Sequence, residues 1–281
     1  MPKSIAKLVI EGVIEKENDT YKQKWILETL EALSEKKDVG ALVVHINSPG
    51  GSVYESDEVY EALLKYKKET DNPVYAYFAS LAASGGYYIG CAADKIIANR
   101  NSLTGSIGVI AGQFIDLTGL MKTHGIKSEI IHAGRNKAMG SFSEPITDEQ
   151  RAIMQFIADE CYEQFTGIVA QRRNLPIEKV REIADGRIYT AKQAKELGLV
   201  DDILNFEDTV DMMKKLFPEK QEKQLTVREY KMKPKRNLIK MLKETSSNFS
   251  GKKTSENLIA EKLGKRNIPF PAYYCDWPGG F

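Results

Sequence analysis

Ser84 stands in Leu81-Ala82-Ala83-Ser84-Gly85-Gly86-Tyr87-Tyr88, where the apolar strand pattern that begins at Tyr75 breaks at small residues and a helix starts. A hydroxyl at such a turn is presented as a nucleophile. Serine is a weak nucleophile near neutral pH unless a base takes its proton, so Ser84 needs a partner. Acyl transfer also needs donors aimed at the developing oxyanion, and backbone amides supply them with little reorganisation. Pro49-Gly50-Gly51 follows an apolar strand, and the missing side chains let a carbonyl approach the main chain closely. Gly51 is therefore assigned to the oxyanion hole, with the amide of Gly85 beside the nucleophile as second donor. An isolated Pro-Gly-Gly is commonly an ordinary turn, but a buried strand before it and a helix after it favour the catalytic reading. Ser80 lacks the Ser-Gly-Gly step and is read as packing or turn.

Other machinery finds less support. A Ser-His-Asp triad would need one of three histidines. His45 lies inside a strand run, and His124 and His132 lie beside turn glycines, so all three read as structural or surface residues. Asp57-Glu58 and Asp201-Asp202 read as helix-start and surface charges without a metal-ligand pattern, and no metal is expected. Cys91, Cys161 and Cys275 are far apart with no C-x-x-C spacing, as expected of buried or incidental thiols rather than a zinc site or disulfide framework.

The elements that must position these residues alternate. Lys7 to Ile14 reads as a strand and Tyr21 to Glu35 as a helix, with Trp25, Leu27, Leu30 and Leu33 near a 3.6-residue period. Ala41 to Ile46 is a near-continuous apolar run, the mark of a parallel strand covered on both faces. A helix over Asp57 to Lys68, a strand over Val74 to Phe78 and a helix over Tyr87 to Ala93 follow. Lys95 to Ala98 and Ser106 to Ile110 read as strands, Phe114 to Thr123 as helical and Lys127 to Ile131 as extended. Thr147-Asp148-Glu149-Gln150 has capping-box spacing and predicts a helix to about Arg173. Thr190-Ala191-Lys192-Gln193 repeats that pattern, with Gly198 as the stop. The order predicts an α/β fold with right-handed crossovers.

Together, Asn47-Ser48-Pro49-Gly50-Gly51, Ala83-Ser84-Gly85-Gly86, Thr104-Gly105-Ser106-Ile107-Gly108 and Gly134-Arg135-Asn136-Lys137 resemble the signal peptide peptidase A family of serine-lysine peptidases, in the Clp protease and crotonase superfamily. Ala93-Asp94-Lys95-Ile96 and Asp185-Gly186-Arg187-Ile188-Tyr189-Thr190 extend the resemblance, which covers roughly Ile5 to Ile203. It implies a Clp/crotonase-like fold of repeated β-β-α units with a parallel sheet, Lys137 as general base and Ser106 as the hydroxyl that orients it. It also implies an ATP-independent, cofactor-free endopeptidase that cleaves signal-peptide remnants or other hydrophobic or unstructured peptides through an acyl-enzyme. A homo-oligomeric ring is implied as well, with neighbouring subunits helping to complete each site. A phage-type capsid maturation protease, a non-catalytic ring scaffold and a crotonase-type acyl-CoA enzyme are the alternatives. No motif commits the chain to CoA.

Forty basic and thirty-nine acidic residues among 281 leave a net charge of +1, so no global field argues for nucleic acid or an anionic membrane. Met1-Pro2-Lys3-Ser4 leads directly into a strand-like run, with no signal peptide and no stretch of the roughly twenty apolar residues a membrane helix needs. As written, the chain reads as cytoplasmic, touching membrane only through its substrate, or as membrane-associated if an anchor once preceded it. Three regions are expected: a peptidase domain over 1–205, a charged helical or disordered extension over 206–265, and a Pro/aromatic tail over 266–281. The tail, with Phe270, Tyr273, Tyr274 and Trp277 among three prolines, is expected to dock as a strand-like peptide mimic in its own or a neighbour's groove. Tyr87, Tyr88 and Leu81 read more readily as core than as a hydrophobic substrate groove.

Overall fold

A computed structural model describes residues 3–233 and 272–274. β1 (Ser4–Glu11) is followed by α1 (Gln23–Ser34) and by β2 (Val39–Ser48), its parallel neighbour. After the short β3 (Gly50–Ser52), α2 (Val53–Thr70) returns the chain to β4 (Val74–Ala83), parallel to β2 on the opposite side from β1. Next come α3 (Gly85–Gly90), β5 (Lys95–Ala98) and β6 (Leu103–Gly105). β4 pairs with β5 along its first half and with β6 along its last residues. α4 (Thr118–Thr123) and α5 (Asp148–Arg173) precede α6 (Ile177–Ile183), β7 (Ile188–Thr190), α7 (Ala191–Glu196) and β8 (Asp202–Ile203). α8 (Phe206–Lys214) then leads to β9 (Thr226–Tyr230), which completes a sheet ordered β7-β6-β4-β2-β1-β9, with β8 attached through β5. β10 (Ala272–Tyr274) pairs antiparallel with β3 in a separate ribbon.

The near-continuous apolar runs of β2 and β4 have the cause expected of them. Ala76 and Phe78 face the main core with Leu30, Val59 and Tyr87, while Tyr75 and Tyr77 face a second core with Val210 and Met213 of α8. Full burial of a side chain such as Phe78 contributes about 2–3 kcal/mol, so both faces of the central strands tie the sheet down. Both capping boxes form: Thr147 with Gln150 opens α5, and Thr190 with Gln193 opens α7.

Three expectations need correction. Ser106 to Ile110 is not a strand. The strand lies at Leu103–Gly105, where β4 ends opposite Gly105, and Ser106 turns the chain away at φ 49°. The helix expected over Phe114 to Thr123 is confined to α4, and Lys127 to Ile131 has no strand partner. The segment from residue 206, expected as a charged helical or disordered extension, packs its helix α8 into the second core and adds β9 to the sheet. β9 is polar in sequence and joins as an edge, where ladder bonds and the ion pairs Lys7–Glu229 and Arg228–Asp38 replace apolar burial. Most of the rest of the extension, and of the tail apart from β10, lies outside the described residues.

Candidate active site

Ser84 sits where β4 hands over to α3. Its backbone is at φ 53° and ψ −118°, a region that a residue with a Cβ occupies at a cost of about 1–3 kcal/mol unless its surroundings impose it. Two hydrogen bonds do so: its N–H donates to the Gly105 carbonyl at 2.8 Å, and its carbonyl accepts from Tyr88 N–H at 2.9 Å. The side chain has no such tie. Ser84 is wholly buried, and its Oγ has no hydrogen-bond partner among the described residues. A buried hydroxyl without a partner costs about 1–3 kcal/mol, which a structural serine would avoid.

β3 lies against this turn. Ile14 N–H donates to the Gly50 carbonyl and Ser52 N–H to the Ile14 carbonyl, both at 2.8 Å, so Gly51 is clamped from both sides. A Cβ on Gly51 would collide with the Ile14 carbonyl, which makes glycine obligatory there. A Cβ on Gly85 would overlap Ser56 Oγ and lie 3.2 Å from the Gly51 nitrogen, so the two glycines are in direct apposition. Ser48 Oγ accepts from Gly50 N–H at 3.1 Å, and Ser56 Oγ donates to the Ser52 carbonyl at 2.7 Å. Both serines brace the glycine turn. Sequence reasoning passed over Ser56; its place one turn into α2, four residues after Ser52, was the available signal.

Ser106 is buried beside the residue whose carbonyl holds Ser84, and its own N–H donates to the Arg187 carbonyl at 2.7 Å. The structure thus brings Gly51, Gly85, Ser84 and Ser106 together. It does not bring Lys137 to them within one chain. Lys137 is exposed, its backbone N–H closes a turn onto the Gly134 carbonyl at 3.0 Å, and its amine is outside hydrogen-bonding reach of Ser84 Oγ. Nine of the twelve exposed large apolar residues described fall between Ile110 and Phe156, the stretch that carries Lys137, and Ile131 is 93% exposed. Exposed apolar surface on that scale marks a contact surface.

The remaining candidates separate on chemistry. His45 packs its ring on Tyr77 and Phe206, on the α8 side of the sheet; burial first, then the Lys7 charge, lowers its pKa to about 4. Burial pushes the Cys91 thiol up to about 12, which leaves it inert near neutral pH. Tyr87 and Tyr88 are fully buried under Ser84, donating to the Leu199 carbonyl at 2.9 Å and to Asp57 Oδ1 at 2.5 Å, so they are core and not groove. Asp57, read as a helix-start or surface charge, is therefore a hydrogen-bond anchor for α3. Among the described residues there is no cluster of three His, Cys, Asp or Glu side chains suited to a metal, and no helix is long and apolar enough to cross a membrane.

Against known proteins, residues 66–219 match the model of peptidase family S49. A protein of Enterococcus faecium provisionally named signal peptide peptidase SppA is 37% identical over 97% of this chain and 81% of its own length. The chloroplastic serine protease SPPA of Arabidopsis thaliana is 35% identical over 63% of this chain and 26% of its own. A ClpP1 mutant from Listeria monocytogenes superposes with a TM-score of 0.49 at 18% identity, over 72% of this chain and 92% of that one. The chain belongs to peptidase family S49.

Proposed function

We propose that this peptidase is a serine endopeptidase in which Ser84 is the nucleophile and Lys137 of a neighbouring copy is the general base. The observation that carries the reading is a buried, unpartnered hydroxyl on a strained turn, set against two apposed glycines. Ser84 Oγ attacks the scissile carbonyl, and its proton passes to the lysine. The Gly51 and Gly85 amides form the oxyanion hole, stabilising the charge on the carbonyl oxygen, and the lysine returns the proton to the leaving amine as the C–N bond breaks. Water then hydrolyses the acyl-enzyme. A lysine is a base only where its charged form is disfavoured, and burial of the 110–156 surface against a second copy supplies that environment, with Ser106 orienting the amine. A ring of copies follows from the same contact.

The substrate is a peptide bound as an extended strand. β10 supports this mode: it lies antiparallel on β3 with Tyr273 opposite Gly51, and it also abuts α3. Such strand addition uses the substrate's backbone for affinity, as suits signal-peptide remnants or other unstructured chains. Removal of Pro269 to Phe281 is expected to raise peptide turnover a few-fold by vacating that edge, and unchanged turnover would separate β10 from the substrate path. The direct test is intact mass after a fluorophosphonate probe, beside casein cleavage. Wild type is expected to label and cleave, whereas Ser84→Ala does neither and Lys137→Ala loses cleavage. Full activity in Ser84→Ala would refute the nucleophile, and silence of the wild type would favour a non-catalytic scaffold.

A further inference from the structure

We infer that Asn47 is a positioning residue: its side chain holds the irregularity in β4 that decides which residue stands before the Gly51 amide. The inference rests on Ser84 being the nucleophile. β4 takes part in two ladders, and both change at one place. On the β2 side Ile46 pairs with Phe78 but Ser48 pairs with Ala82, so two steps along β2 answer to four along β4. On the other side β4 leaves β5 after Phe78, opposite Ala98, and takes up β6 from Leu81, opposite Leu103. Ala79 and Ser80 thus lie outside both ladders and Leu81 outside the one with β2, so their backbone groups need other partners.

Two side chains take up groups at the break. Asn47 Oδ1 accepts from Leu81 N–H at 3.2 Å. Across the strand the buried Ser102 hydroxyl reaches the Phe78 carbonyl at 2.7 Å and also the Ala79 carbonyl. An excess of two residues preserves side-chain alternation, and Ala82 accordingly continues the core face of Ala76 and Phe78. The excess nevertheless advances the end of the strand by two residues, about 7 Å. A ladder without it would set Ser80 opposite Ser48 and carry Ala82 to the place of Ser84. Asn47 is also joined through its backbone to β1, Gly12 N–H donating to its carbonyl at 3.0 Å, and lies four residues before Gly51. One residue therefore couples the glycine turn to the register of the nucleophile strand.

The test compares Asn47→Ala, which removes the acceptor, with Asn47→Asp, which keeps an oxygen there. Steady-state casein cleavage, the rate of fluorophosphonate labelling at Ser84, and amide hydrogen exchange across Ala79 to Ala83 are measured on the assembled protein. Asn47→Ala is expected to lower kcat and labelling about 10- to 100-fold while KM moves less than about threefold, as a misplaced reacting group does. Leu81 exchange rises in the same variant, and Asn47→Asp returns all three readouts towards wild type. Should Asn47→Ala not fold, Ser102→Ala is expected to shift the same readouts the same way by a smaller factor. Faster Leu81 exchange with unchanged kcat and labelling would overturn the positioning role and leave Ser84 standing, as would unchanged exchange. A wild type that does not label at Ser84 would overturn the nucleophile assignment and this inference with it.

Discussion

Ser84 and Lys137 stand in regions of opposite construction. The turn around Ser84 is buried, packed against β3, hydrogen-bonded to β6 and α3, and held in a backbone conformation that serine does not choose for itself. The stretch around Lys137 is exposed and irregular, tied mainly by polar contacts such as Arg135 and Asn136 to Glu149, and it displays isoleucines and phenylalanines to solvent. Ser84, the proposed nucleophile, and its glycines can be set by one subunit because they sit at ends of paired strands. An arm whose apolar side chains lack cover gains a defined environment only against another surface. On the proposed reading, the monomer stores the Ser84 half of the site and assembly supplies the Lys137 half.

That contrast can be broken from either side. The largest effect is expected inside the buried half: Gly51→Ala, which drives a methyl into the Ile14 carbonyl, should lower kcat about 100-fold or more, as loss of an oxyanion donor does. Casein kinetics check it, and near-wild-type kcat would remove Gly51 from the site. On the exposed half, the double change Ile115→Glu and Ile131→Glu should dissociate the oligomer and cut turnover about tenfold, while thermal stability of the subunit changes little, as is usual at exposed positions. Light scattering beside casein kinetics decides, and an unaltered assembly would exclude that surface.

The last expected effect is on stability and not on turnover, and it concerns the α8 side, away from both halves. Burial holds the His45 pKa near 4, below its ordinary 6.5, so the unfolded chain binds the proton more readily than the folded one. Stability is then full above pH 6.5 and declines as pH falls towards 4, by about 3 kcal/mol for a shift of this size. Denaturant titrations should show that loss in wild type and a flatter dependence in His45→Phe, with an identical slope in both arguing against the His45 origin.

The strands and helices around Ser84 were legible because their signals are local. The apolar runs of β2 and β4 lie between two cores, and Thr147 and Thr190 cap helices within three residues of themselves. What was not legible depends on partners distant in the chain. Ser106 to Ile110 has strand composition, yet the β4 ladder it would join ends at Ala83. β9 has a polar sequence because it is an edge sustained by backbone pairing and ion pairs. The ladder break beside Asn47 follows from the relative lengths of three strands, which no window of sequence displays. Ser84, Gly51, Gly85 and Ser106 were singled out by motif and meet in one place. Lys137 was singled out the same way, and a single chain does not bring it to them.

The most direct test of a site shared between copies is complementation. Ser84→Ala and Lys137→Ala subunits, each inactive alone, are unfolded together and refolded into mixed assemblies, and casein cleavage is measured. Random mixing should restore activity to about a quarter of wild type, because an intact Ser84 then meets an intact Lys137 across a subunit contact in about that share of sites. Mixed assemblies of confirmed composition that remain inactive would contradict a site shared between copies.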